Sequence, residues 1–214
     1  MPKYTYTGLA VAAAAALLAA GAASPALAAA PRVVDTLTVG STTGPNVAVG
    51  DSITAALFGS SSLSTSAGNV SCTAGSFAAT DATNTAATAT LTVTAISFTA
   101  SSCTSGIPGT TGVTSIGLKS GTTPTATVTA STAALTVTPT VAVTLSSILG
   151  PVSCYYSGSV TGTLSNTAHS LAFSAVTVTR QTGSSSLCPS SGKFTATYEP
   201  VLDVTQASGT VYVN

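Results

Sequence analysis

The chain has no tryptophan, one histidine and one methionine, and only 5% of its 214 residues carry charge. Each scarcity removes a class of function. Five basic residues stand against five acidic ones, so there is no electrostatic footprint for nucleic acid or for an anionic membrane surface. With His169 the only imidazole, Ser-His-Asp catalysis has one place to reside. His169 falls between Ala168 and Ser170 where a strand begins, and no Gly-x-Ser-x-Gly elbow is present. Its ordinary reading is a turn or strand-end residue. The carboxylates that could pair for glycoside chemistry are Asp35, Asp51, Asp81, Glu199 and Asp203. Glu199 and Asp203 are close in sequence, but Glu199 shares an outward face with Lys193, which predicts a solvated pair rather than an acid–base dyad. No Gly-rich loop opens a helix, and no Cys-x-x-Cys spacing exists for zinc. Neither an enzyme, nor a cofactor, nor a metal site is expected.

Long apolar runs are confined to the N-terminus. Lys3 supplies a short positive region, Leu9 to Ala23 follows as an Ala/Leu/Val run, and Ser24-Pro25 breaks it. Ala26-Leu27-Ala28 then gives the small-x-small pattern of a signal-peptidase site. The run is too short and too rich in alanine to span a bilayer well. A Sec-type signal peptide over residues 1–28, cleaved after Ala28, is expected, followed by an N-terminal extension over 29–44. The C-terminus Thr-Val-Tyr-Val-Asn has no hydrophobic tail, so a secreted, extracellular protein without membrane insertion is the expectation.

What the chain does have is hydroxyls. Serine and threonine make up about a third of it, far above ordinary usage. Low-complexity disorder would have no period, yet apolar residues alternate with threonine over long stretches. Ala87 to Thr94 keeps a period of two; so do Leu135-Val137, Val141-Val143-Leu145, Val152-Cys154-Tyr156 and Phe194-Ala196-Tyr198. Tyr156 thus shares the inward phase of Cys154, and Tyr155 points with the serine face. Such alternation marks half-buried antiparallel strands, and β-branched residues suit the pleat. Glycine and proline cluster at 44–50, 106–112, 121–124 and 150–151, where turns belong. The expected fold is all-β, an antiparallel β-sandwich of ten or more strands.

An internal repeat organises residues 45–214. Val70-Ser71-Cys72 matches Val152-Ser153-Cys154, and twelve residues after each Cys comes Asn-Thr-Ala, at Asn84 and at Asn166. A second Cys, Cys103 or Cys188, closes each half. Two duplicated halves are expected, about 45–115 and 116–214. Four cysteines in an exported chain read as two disulfides. Of three pairings, the repeat favours Cys72 with Cys103 and Cys154 with Cys188. Both halves also change phase: apolar residues move from odd to even positions after Ala95 and after Phe173. A one-residue slip of this kind needs a β-bulge, expected near Ala95-Ile96 and Ala175-Val176, or else a strand end bending into the opposing sheet. With bulges, Ile96, Phe98, Val176 and Val178 are expected to be buried with Leu91, Val93, Leu171 and Phe173.

Val-Ser-Cys at 70–72, Ser-Ser-Cys-Thr-Ser-Gly-Ile at 101–107, Thr-Gly-Val at 111–113 and the second Cys-bounded half carry a resemblance. Over residues 45–205 the chain resembles the PraB family, protein activators of alkane oxidation, and uncharacterised secreted actinomycete proteins with the same four-Cys layout. The resemblance implies an extracellular, non-enzymatic protein associated with the cell surface, biofilm or hydrocarbon use, and carries over no functional residue. The function expected is that of a structural or interaction protein of the cell surface or extracellular matrix, with surface activity. Self-association and cell-surface components are its expected partnerships. The alternative is a binding module for a small apolar ligand or a glycan in a cleft between the halves.

Overall fold

Threonine alternating with small or branched apolar residues gives strands with one dry face and one hydroxylated face, and nearly every element follows from that pattern. A computed structural model of the protein describes residues 33–206 and 209–214. The leader and its cleavage site lie outside the described residues. The strands are β1 (Leu37–Val39), β2 (Ser52–Thr65), β3 (Gly68–Cys72), β4 (Gly75–Asn84), β5 (Thr88–Phe98), β6 (Cys103–Ser105), β7 (Thr110–Leu118), β8 (Thr125–Thr129), β9 (Ala134–Val137), β10 (Thr140–Ser147), β11 (Val152–Ser157), β12 (Val160–Ser165), β13 (Ser170–Arg180), β14 (Ser191–Asp203) and β15 (Val211–Val213). Helix among the described residues is limited to single 3-10 turns at Ala100–Ser102 and Ala130–Thr132.

The all-β expectation holds, but the sandwich does not. The pairings β2–β4–β5–β8–β9–β12–β13–β14, with β14 returning to β2, are all antiparallel and form a closed eight-stranded barrel. A barrel and a sandwich impose the same period of two on each strand, so alternation alone cannot separate them. What decides is the β14–β2 pairing, which joins Asp203 to Ile53 and Lys193 to Ser64 across the length of the chain. Closure leaves the ring no edge to protect.

Two bulges sit where the phase changes. In β5, Ala95 pairs with Ala78 while Val93 pairs with Ala79, leaving Thr94 as the extra residue. In β13, Phe173 faces Ala196 and Val176 faces Phe194, so Ser174 and Ala175 together oppose Thr195; Ala175 has φ 50°. Beyond these bulges the long strands leave the barrel and join a second ring. There β2 pairs β3, β3 pairs β6, β13 pairs β11, β11 pairs β10 and β10 pairs β7. Only β6 and β7 lack a backbone pairing with each other in this second ring.

Each ring has its own core. Leu91, Val93, Leu171 and Phe173 are buried in the barrel, as expected, whereas Ile96, Phe98, Val176 and Val178 beyond the bulges are half-buried and pack against it. Val70, Val143, Leu145, Val152, Cys154 and Tyr156 form the second cluster. The strand bounds recur at a spacing of 82: β2 covers 52–65 and β9 with β10 covers 134–147, while β5 covers 88–98 and β13 covers 170–180. Pairings recur too, Ser61 with Cys72 and Val143 with Cys154. The sheet also crosses between the two stretches, because β7 lies against β10 and β14 against β2.

Candidate functional site

The four cysteines form the two bonds the repeat favoured, Cys72–Cys103 and Cys154–Cys188, and no cysteine is free. Cys72 and Cys103 are cross-strand partners, so the first bond fastens β6, the last strand of the second ring. The second pins the segment before β14 to β11. Serine hydroxyls repeat this division of work. Ser102 Oγ accepts from Ala74 N–H at 3.1 Å and Ser184 Oγ accepts from Tyr155 N–H at 2.9 Å, each just past the first cysteine of its pair. The two disulfides are those of a non-cytoplasmic, oxidising environment.

Between the two cores lies an apolar cavity of ≈ 90 Å³. Phe77, Phe98, Phe173, Phe194 and Tyr198 frame it from the barrel side, and Leu63, Val70, Ile116, Val141 and Tyr156 from the second ring. The five barrel aromatics make one chain of tilted and edge-on contacts, with Phe98–Phe194, Phe194–Phe173, Phe173–Tyr198 and Tyr198–Phe77 centroids 6.5, 6.1, 6.3 and 6.2 Å apart. Gly162 permits part of this packing: a Cβ there would stand 2.7 Å from Leu171 Cδ1 and 2.8 Å from Phe173 Cε1. Ser61 is the one aliphatic hydroxyl in the lining, and it points to the Cys72 carbonyl at 3.5 Å. The Tyr156 hydroxyl donates to the Pro189 carbonyl at 3.1 Å. Burial pushes both tyrosine hydroxyls up from their ordinary pKa, with Arg180 partly opposing this at Tyr156. Space of this size left unfilled costs about 2 kcal/mol at ~24 cal/mol per Å³.

The second polar constellation is at one mouth of the barrel, where Asp51, Asp81 and Asp203 are buried together. Asp51 Oδ2 accepts from Gln206 Nε2 at 2.8 Å and from Ala48 N–H at 2.9 Å, and the Gln206 bond holds its pKa below the usual value. Asp203 Oδ1 accepts from Thr205 N–H at 2.8 Å, yet burial wins and its carboxyl is raised, with the nearby Asp51 charge adding to the rise; its Oδ2 is buried without a hydrogen-bond partner. Both Asp81 oxygens are buried without a hydrogen-bond partner. Desolvation first, then the charges of Asp51, Asp203 and Asp35, push Asp81 up to about 6. No three Asp, Glu, His or Cys side chains among the described residues are grouped to hold a metal ion.

This placement corrects the solvated Glu199–Asp203 pair. The register of β14 shifts between Tyr198 and Val201, which returns Val201 and Asp203 to the inside and leaves Glu199 half-buried. The cluster had a visible signal. Asp81 follows Phe77 and Ala79 in phase, and Asp51 precedes Ile53 and Ala55, so each is a charge written at an inward position.

His169 sits in a turn at φ 52°, half-buried, with its ring edge-on to Tyr212 at 5.0 Å. Its carbonyl accepts Val201 N–H at 2.8 Å, while its Nδ1, the atom a triad would give to a carboxylate, has no partner. Tyr155 is half-buried beneath the Lys119 ammonium, 4.8 Å from the ring centroid. Asn84 and Asn166, noticed in the sequence only as repeat markers, hold the β1–β15 ribbon. Asn84 bonds both the N–H and the carbonyl of Leu37, at 3.0 and 2.8 Å, and Asn166 does the same to Val213, at 2.8 and 2.7 Å. Leu37 and Val213 face each other in the ribbon, so each amide takes the place of a further strand at one edge. In comparisons with protein families, curated proteins and solved structures, nothing matches this chain.

Proposed function

We propose that the protein is a secreted, non-catalytic structural or interaction protein of the cell surface or extracellular matrix, exported by a leader cleaved after Ala28 and built from one duplicated unit. The observation that carries this reading is the outer face. Outward hydroxyls bond across strands, Thr83 with Thr90 at 2.6 Å, Ser76 with Ser97 at 3.0 Å, Thr114 with Ser146 at 2.9 Å and Thr136 with Thr161 at 3.2 Å. Such ladders give a hydrated, uncharged surface that neither repels a second copy nor recruits counter-ions. Large apolar side chains stand on it singly or in pairs, with Ile148 81% and Leu149 86% exposed at the β10–β11 turn. The spacing of 82 between corresponding strands supports the duplication, and the resemblance of residues 45–205 to the PraB family supports an extracellular role. Among the described residues no helix is long and apolar enough to cross a membrane.

The test charges the hydroxyl face. Thr136→Lys with Thr161→Lys places two like charges across one strand pair without touching the core. Retention of the purified protein on the producing cells should fall while the circular dichroism spectrum stays unchanged. Undiminished retention in this variant would remove the hydroxyl face from the account.

A further inference from the structure

We infer that the cavity between the two cores is a binding site for a small, uncharged hydrocarbon, a single ring or a short branched chain. This goes beyond a matrix role and does not depend on it. Size sets one limit: ≈ 90 Å³ is smaller than an engineered apolar cavity of about 150 Å³ that takes benzene or xenon, so an acyl chain or a sugar would not fit within it. A single ring is accommodated by outward movement of the half-buried lining side chains. Chemistry sets the other. No lining side chain is charged, the Tyr156 hydroxyl is committed to Pro189, and Ser61 leans on the Cys72 carbonyl. The buried Tyr198 hydroxyl is the one remaining side-chain polar group of the lining. A buried water needs two to four polar partners, and a polar ligand would lose its hydration for nothing in return. Close-packed interiors seldom leave such a space, yet here an aromatic chain frames it.

The guest would meet ring edges and faces from Phe98, Phe173 and Phe194, which favours an aromatic or compact aliphatic occupant over an extended one. Ile96, Phe98, Ile116, Val141 and Val178 line the space and are only half-buried although they share the inward phase of their strands. Their uncovered area is the surface an occupant would cover. β7 supplies Ile116, which is paired to Phe98 of β5 and Val143 of β10. The unpaired stretch of the second ring lies between β6 and the start of β7, where the Thr110 hydroxyl donates to that of Ser105.

The experiment titrates the oxidised, secreted protein with benzene and follows methyl signals of Val141, Val178 and Ile116 by NMR. A saturable one-to-one shift and a raised Tm are expected, with phenol weaker because its hydroxyl would be buried unpaired. Val178→Phe should fill the space and weaken benzene binding about tenfold or more. Phe58→Ser, on the outer face where Phe58 is 60% exposed, should leave it unchanged. Benzene binding that is non-saturable, equal in Val178→Phe, or lost in Phe58→Ser would overturn the site. Should Val178→Phe fail to fold, xenon under pressure decides on the wild type alone: shifts confined to the lining methyls support the site, and none overturns it.

Discussion

At Asp81 the fold holds a carboxyl whose charged form has no hydrogen-bond donor near it. Its raised pKa, about 6 against an ordinary 3.8, turns into a pH dependence of known sign. The folded state binds this proton more tightly than the unfolded chain, so the stabilisation is complete below about pH 4 and is lost as pH rises through about 6. Urea midpoints should therefore fall between these values, by an amount equivalent to about 1–3 kcal/mol. Asp81→Asn should flatten that slope and leave the protein more stable than wild type at pH 7. A wild-type midpoint that climbs from pH 4 to pH 7 would show that Asp81 is ionised at no cost. Asp51, held below its usual value by Gln206, contributes in the opposite sense at lower pH. Residue identity made part of this legible, since a charge in phase with Phe77 and Ala79 is an anomaly of pattern. That three such residues meet was not legible, because Asp51 lies just before β2, Asp81 within β4 and Asp203 at the end of β14, far apart in sequence.

Among the elements, the terminal ribbon shows how a recurring tripeptide can be visible and its purpose hidden. Asn84 and Asn166 were legible as a recurring Asn-Thr-Ala, but the ribbon they hold joins the two ends of the described chain, which no local pattern announces. Each amide closes two backbone hydrogen bonds at a strand of three residues. Asn84→Ala or Asn166→Ala should each cost about 1–3 kcal/mol by leaving buried backbone groups unpaired. Amide exchange at Leu37 in the first variant and at Val213 in the second should accelerate before global unfolding does. Unchanged exchange at both positions would mean that packing of Leu37, Val39, Val211 and Val213 against the barrel core suffices without the clamps. The bulges were the most legible element feature, since a phase slip after Ala95 or Phe173 has few physical remedies. The depth of burial beyond them was overestimated. Ile96 and Val178 turn inward as expected, but they border a cavity instead of a filled core.

Across the whole molecule, alternation, hydroxyl content and cysteine spacing were enough for an all-β chain with two staples of stated pairing. They were not enough for closure, because the pairing of β14 with β2 leaves no trace in the period of either strand. Closure matters for function as proposed here. It buries Phe77, Phe173 and Tyr198 of the five-ring chain, with Phe98 and Phe194 half-buried against them, and turns the hydroxyl ladders outward, so whatever the protein does at a surface depends on the scaffold being intact. Each disulfide closes a loop of 31 or 34 residues, worth about 3–4 kcal/mol on the chain-entropy account, against a net stability of about 5–15 kcal/mol for a typical domain. Loss of both should unfold most of the chain at physiological temperature. The most direct measurement is retention on the producing cells, and lowering of oil–water tension, for wild type, His169→Ala and the double variant Cys72→Ser with Cys154→Ser. Wild type and His169→Ala should behave alike, and the double variant should lose both effects. Activity that disappears with His169 but survives loss of the disulfides would contradict a structural role and require chemistry at the histidine.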